Sequence, residues 1–215
     1  MKKGEKMRKK IVGFIIAGML VLGLGFASTP ARAQFSLGVV GGYYGPNFGQ
    51  VNDDCDDING VFGTDLQFKA ATMYGLALGY DLGPRFGLRL EYDSFESKTS
   101  DTVLPGLDLD LKITVTPLLL SVTYGFSPFY VGAGVGSFPT KFNYGYVVGS
   151  TVISDSDSDS PTGFVLLAGF ELANKPIFLN IEARYVVGTK AKLEDAGTEV
   201  DLSGAQVSLL VGLKI

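Results

Sequence analysis

Residues Phe86–Phe95 read FGLRLEYDSF, and their alternation sets the pattern for the whole chain. Phe86, Leu88, Leu90 and Tyr92 alternate with Gly87, Arg89, Glu91 and Asp93. A period of two puts the two sets on opposite faces of a β-strand. A soluble barrel would turn the apolar set inward. A membrane barrel turns it toward lipid and keeps the polar set in the lumen. One strand does not say which, but its neighbours do.

The alternation recurs along the chain. Strands are expected at Phe35–Tyr44, Gln67–Leu82, Phe86–Phe95, Leu107–Phe126, Phe129–Val148, Thr162–Leu172 and Ile177–Val187, with a last one ending at Ile215. In Leu107–Phe126 the apolar phase slips after Pro117, which predicts a bulge there. Tight turns are expected at Gly83-Pro84, Ser127-Pro128 and Asn174-Lys175-Pro176. The other connections, Pro46–Asp65, Lys98–Gly106, Gly149–Pro161 and Gly188–Glu199, read as long polar loops, and SDSDSDS at Ser154–Ser160 as a solvated low-complexity run. Eight strands joined by alternating long and short connections put all the short turns and both termini on one side. That is the pattern of an antiparallel up-and-down transmembrane β-barrel.

An eight-stranded soluble barrel of the lipocalin type is the competing architecture. Its interior is only just filled by side chains, and packing the Leu, Phe and Tyr of every strand inside would overfill it. The face of small and polar residues fits a narrow lumen, and the bulky face fits lipid.

The N-terminus supports export. Lys2, Lys3, Lys6, Arg8, Lys9 and Lys10 precede an apolar run, Ile11–Ala27, and Ala31-Arg32-Ala33 follows as a cleavage site. These are the regions of a secretory signal peptide, expected to be removed as residues 1–33, which leaves the barrel as 34–215. Removal takes seven of the 18 Lys/Arg and one of the 22 Asp/Glu, leaving 11 against 21, a net charge of −10. That argues against a nucleic-acid partner. The single cysteine, Cys55, has no internal disulfide partner and no assigned role.

Three candidate chemistries follow. Arg89, Lys112, Arg184 and Lys214 fall on the polar face and could pair with Glu91, Asp93, Asp110, Glu171 and Glu182 in a salt-bridged lumen. Asp53, Asp54, Asp56, Asp57, Asp155, Asp157 and Asp159 could bind divalent cations weakly in two loops. Neither loop fits a calcium-binding hand: Ser160 stands where glycine is needed, and Leu166 and Leu66 where the bidentate acid belongs. Catalysis is not expected, because the chain has no histidine to serve as the usual base of envelope hydrolases, and no cofactor is implied.

LRLEYDSF at 88–95, FYVGAGVG at 129–136 and AQVSLLVGLKI at 205–215 resemble the OmpA/OmpW-like small outer-membrane β-barrels. The resemblance spans the mature chain. It implies an outer-membrane location with periplasmic termini, lipid as surroundings, and recognition of the C-terminal strand by the barrel-assembly machinery. The chain ends in Ile215, where that family usually places an aromatic residue. The function implied is a structural or surface-interaction role with an unnamed surface ligand, or alternatively a narrow channel of the OmpW type for small or hydrophobic solutes.

Overall fold

The computed structural model describes residues 34–148, 151–173, 176–193 and 198–215. The expected signal peptide lies outside the described residues. The elements are β1 (Gln34–Asn47), α1 (Gly49–Phe62), β2 (Ala71–Asp81), β3 (Phe86–Leu104), β4 (Leu107–Val115), β5 (Leu118–Phe126), β6 (Phe129–Ser137), β7 (Thr140–Val148), β8 (Thr151–Asp159), β9 (Thr162–Ala173), β10 (Ile177–Val187), β11 (Lys190–Leu193) and β12 (Thr198–Lys214).

Antiparallel ladders join β1, β2, β3, β5, β6, β9, β10 and β12 in that order, and β12 pairs back with β1. Eight strands therefore close the ring, the number expected. The first and last strands meet at one end, where Phe35 and Ile215 exchange backbone hydrogen bonds of 3.2 and 2.8 Å. The short turns after β2 and β5 lie at this same end, here called the turn end.

At the opposite end, the loop end, the sheet continues where loops were expected. β3 runs on to Leu104 and pairs with β4, so Lys98–Leu104 is strand and the reversal is at Pro105-Gly106, with Gly106 at φ 84°. β4 pairs with β7 and β7 with β8, which turns most of the SDSDSDS run into strand. The segment 188–199 contributes β11, paired with the start of β12. β2 begins only at Ala71.

Three prolines divide the ring from this extension. Pro117, Pro139 and Pro161 stand between β4 and β5, β6 and β7, and β8 and β9. Proline cannot donate to a ladder, yet their carbonyls accept the N–H of Asp93, Thr116 and Phe138 at 3.0, 2.9 and 2.8 Å. The bulge expected at Pro117 is absent. Tyr92 pairs with Leu118 and Phe95 with Val115, so two residues on each strand pass the proline with nothing inserted.

What changes at the prolines is the chemistry of the two faces. In β5, Leu120 and Val122 are exposed on the outside while Ser121 is buried within. In β4, on the same inward side of an unbroken register, Leu109, Leu111, Ile113 and Val115 are buried, and Asp108, Asp110 and Lys112 point outward. The ring is built for lipid outside and holds its buried charges within, among apolar side chains such as Leu119, Val165, Leu167 and Leu210. The extension is built for water outside and an apolar core within.

Aromatics border the outer apolar belt. Phe35 and Tyr80, Phe86 and Tyr124, and Phe129 and Phe170 pack tilted or edge to face, with ring centres 4.8–5.1 Å apart, at the turn end. Tyr43, Tyr74, Tyr92 and Tyr185 stand exposed toward the loop end. Phe35 and Tyr43 share β1, and the strand between them spans roughly 20 Å of height after tilt, near the ~25 Å apolar band of outer-membrane barrels.

Candidate functional site: a salt-bridged lumen under a helical cap

Inward positions of β3 and β10 place five charged groups in the middle of the ring. Nη2 of Arg89 donates to both oxygens of Glu182, at 2.9 and 2.7 Å, and its Nε lies against Glu91. Arg184 contacts Glu91 and Glu182 and stands 3.5 Å from Asp93. The Tyr130 hydroxyl donates to Glu182 at 2.8 Å. All five charged side chains are 90% or more buried. Charges taken out of water at this depth are tolerable only when paired. Glycines directly paired with them on neighbouring strands make the room: a Cβ on Gly75 would meet Asp93 Oδ1 at 2.1 Å, and one on Gly169 would meet the Tyr130 ring at 2.1 Å.

Toward the turn end the lumen widens into a cavity of about 220 Å³, with Asp81, Arg85, Glu171, Lys214 and Asn180 among its walls. Lys214 lies 3.6 Å from both Asp81 and Glu171. Arg89 and Phe178, both buried, also line it. Phe178 fills space left by two glycines, since a Cβ on Gly38 or Gly212 would meet its ring at 2.8 or 2.6 Å.

Toward the loop end the lumen is filled. Tyr44, Phe95 and Phe138 are fully buried above the charge cluster, and Phe48, Phe68 and Phe142 join them. Helix α1 closes this core, which corrects the expected loop at Pro46–Asp65. Val51, Cys55 and Ile58 fall at i, i+4 and i+7 and face the core, while Asp53, Asp54, Asp56 and Asp57 are exposed. Four aspartates give the segment the composition of a loop, and the apolar stripe among them is only three residues wide. Gly63, at φ 70°, ends the helix by donating its N–H to the Asn59 carbonyl at 2.7 Å.

The segment after the cap is held from both sides without a ladder. Asn52 takes both backbone groups of Phe68, its Oδ1 accepting the N–H at 2.8 Å and its Nδ2 donating to the carbonyl at 3.1 Å. Asn59 does the same to Leu66, at 2.8 and 3.0 Å. On the opposite side the N–H groups of Asp65, Gln67 and Lys69 donate to side chains of Asp101, Thr99 and Ser97 on β3. Two asparagine amides thus serve as the neighbouring strand.

A closed eight-stranded ring with an apolar, aromatic-bordered exterior and a charged interior meets the requirements of a barrel that spans a membrane. The model of the outer membrane protein beta-barrel domain matches residues 17–214. The chain belongs to that family. Solved outer-membrane barrels align with it along most of their length. A major outer membrane protein from Thermus thermophilus aligns at 16% identity and a TM-score of 0.50, covering 86% of this chain and 100% of that one. The outer membrane protein OprG from Pseudomonas aeruginosa aligns at 17% identity and a TM-score of 0.48, covering 86% and 97%. No curated protein sequence matches.

In this outer-membrane β-barrel the expected lumen set divides. Arg89, Glu91, Asp93, Glu182 and Arg184 come together, and Glu171 and Lys214 meet at the turn-end mouth. Asp110 and Lys112 do not belong: they lie on the outward face of β4, where Lys112 pairs with Glu96. The polar-inside rule that placed them holds only below the prolines. Asp155, Asp157 and Asp159 are not loop residues. They sit on the inward side of β8, paired with Tyr144, Phe142 and Thr140, and Asp159 accepts the Lys192 N–H at 2.8 Å. Among the described residues no three acidic or cysteine side chains converge as a metal site. Tyr130 lies outside the expected set, although it stands out in its strand as the one bulky side chain on an inward face otherwise made of Gly132, Gly134 and Gly136.

Proposed function

We propose that this outer-membrane barrel is a closed structural or surface-interaction protein. One observation carries the reading: the lumen is obstructed at two successive levels, by the Arg89–Glu182–Arg184–Glu91 cluster and by the aromatic core beneath α1. An eight-stranded barrel leaves little free bore, and here salt bridges and rings occupy it. On this reading the termini and short turns face the periplasm, and the acidic cap and strand extension face outward. The surroundings are membrane lipid, and the assembly machinery engages β12. The reading includes no catalysis: the chain has no histidine, and Glu91 and Glu182 are hydrogen-bonded by arginines.

A narrow channel for small or hydrophobic solutes draws on one feature, the charged cavity of about 220 Å³ at the turn end. The two readings part in planar bilayers. Folded protein, verified by its heat-dependent gel shift, is expected to be electrically silent. Discrete, reproducible openings from the intact chain would overturn the closed-barrel reading in favour of the channel.

A further inference from the structure

The outward face of β3, β4 and β7 just beyond the belt carries a charge pattern that the closed lumen does not explain. Lys98 on β3 is directly paired with Lys112 on β4. Like charges directly opposite oppose strand pairing unless an anion lies between them. Glu96 supplies one, 2.9 Å from Lys98 and in contact with Lys112. Lys141 on β7 pairs with Thr114, whose other neighbour is Glu96, and among the described residues it makes no ion pair. Two ammonium groups thus share one carboxylate, and a third lysine stands one strand beyond them on the same face with no counterion of its own among the described residues, in a mature chain whose net charge is −10. Hydroxyl and amide groups fill in around them: Thr114, Asn143, and Ser156 and Ser158 on β8 all face the same way.

The height of the patch is also specific. Ser94, Thr116 and Ser137 are the first polar outward positions past the belt on their chains, and Lys98, Lys112 and Lys141 each stand four residues beyond one of them. That is about 10 Å of height after strand tilt. Lysine stems that lean back toward the belt bring their ammonium groups into the headgroup layer. The aspartates of the same face, Asp108 and Asp110, lie farther from the membrane. Going outward, the order is apolar belt, hydroxyls, lysines, aspartates.

We propose that Lys98, Lys112 and Lys141 form a binding site for the phosphate of a lipid headgroup in the leaflet at the loop end. A phosphate monoester brings the negative charge that Glu96 alone does not supply to three ammonium groups, and Thr114 and Asn143 offer it further donors. Glu96 holds the two paired lysines in position and competes weakly with the ligand.

The test uses the protein purified from membranes in non-ionic detergent, with phosphatidic acid as the probe and phosphatidylcholine as reference, and bound lipid counted by native mass spectrometry. The wild type is expected to retain phosphatidic acid in preference. Each Lys→Gln change at 98, 112 or 141 is expected to weaken that about five-fold, the worth of one lysine near an anionic surface, and Glu96→Gln to strengthen it. The control is Lys190→Gln with Lys192→Gln on β11, which abuts β8 two strands beyond Lys141; losing its two charges is expected to weaken binding less than any single change in the patch, which separates a site from a loose positive field. A heat-dependent gel shift verifies that each variant is folded. The proposal is overturned if the triple variant keeps the wild-type preference, if the control pair loses as much as a single change in the patch, or if inorganic phosphate at millimolar concentration displaces the lipid completely.

Discussion

A single nitrogen of Arg89, Nη2, bonds both carboxylate oxygens of Glu182 across the barrel, at 2.9 and 2.7 Å, from a position 93 residues away in the chain. The same carboxylate is held by Arg184 and by the Tyr130 hydroxyl. Strands β3 and β10 are not neighbours in the ring, so these contacts tie opposite walls together through the lumen.

Removing Arg184 takes from Asp93 its one arginine neighbour and leaves Glu91 and Glu182 to share Arg89. Arg184→Met is expected to cost about 3–5 kcal/mol, the usual penalty for breaking one side of a buried pair. Urea unfolding followed by the gel shift reads it. A loss below about 1 kcal/mol, the scale of an exposed pair, would show that the cluster is solvated in practice and not a structural tie.

Gly75 faces Asp93 so closely that an added methyl would meet its Oδ1 at 2.1 Å and the Tyr92 carbonyl at 2.5 Å. Gly75→Ala should destabilise the barrel by about 1–3 kcal/mol, the range for overpacking. Gly41 on β1 has nothing within 4 Å of its Cβ position, and Gly41→Ala should be near neutral. Equal effects at the two sites in the same unfolding assay would contradict this account of the glycines.

The cap can be followed through its own cysteine. Cys55 is buried against the core, and burial, with Asp54 and Asp56 beside it, pushes its thiol above the ordinary range. Maleimide labelling of the folded protein should be slow. Asn52→Ala combined with Asn59→Ala removes the two-sided clamps on Phe68 and Leu66, each hydrogen bond worth about 1 kcal/mol. On that scale labelling should speed up at least about ten-fold while the heat-dependent shift of the ring persists. Unchanged labelling would mean the asparagine clamps do not hold the cap.

Glu96 titrates with a definite sign. Hydrogen bonds from Lys112 and then Lys98 hold its carboxyl below the usual glutamate range. Its folded value lies under the unfolded one, so its small contribution is present above about pH 4.3 and fades as pH falls through the folded value. NMR titration of the Glu96 side chain should show a depressed midpoint that moves up in Lys112→Gln. A midpoint indifferent to Lys112 would show the pair is only nominal.

Much of this architecture was legible in residue order. The alternation in Phe86–Phe95 and its counterparts announces strands, and turn residues at Gly83-Pro84 and Ser127-Pro128 mark reversals. The bulk of the apolar set, set against the bore of eight strands, decides which face meets lipid. The inward position of Arg89, Glu91, Asp93, Glu182 and Arg184 follows from the same alternation. The extension was harder to read. β8 carries Ser and Asp in alternation, so neither face has the apolar signature of a strand, and its pairing is supplied by β7. Helix α1 hides three core-facing residues among four aspartates.

Eight membrane-spanning strands can be read from residue order alone, because period-two patterning is local and each strand reports its own two faces. What those faces meet depends on the assembled barrel. Pro117 looked like a change of register because the apolar residues change sides there. The backbone in fact runs straight through, and the surroundings change instead, from lipid outside a polar lumen to water outside an apolar core. That exchange sends Asp110 and Lys112 outward and turns the middle of the barrel into a closed ion-pair cluster. No local pattern encodes it, because it depends on which strands stand opposite and on how high above the membrane each residue lies.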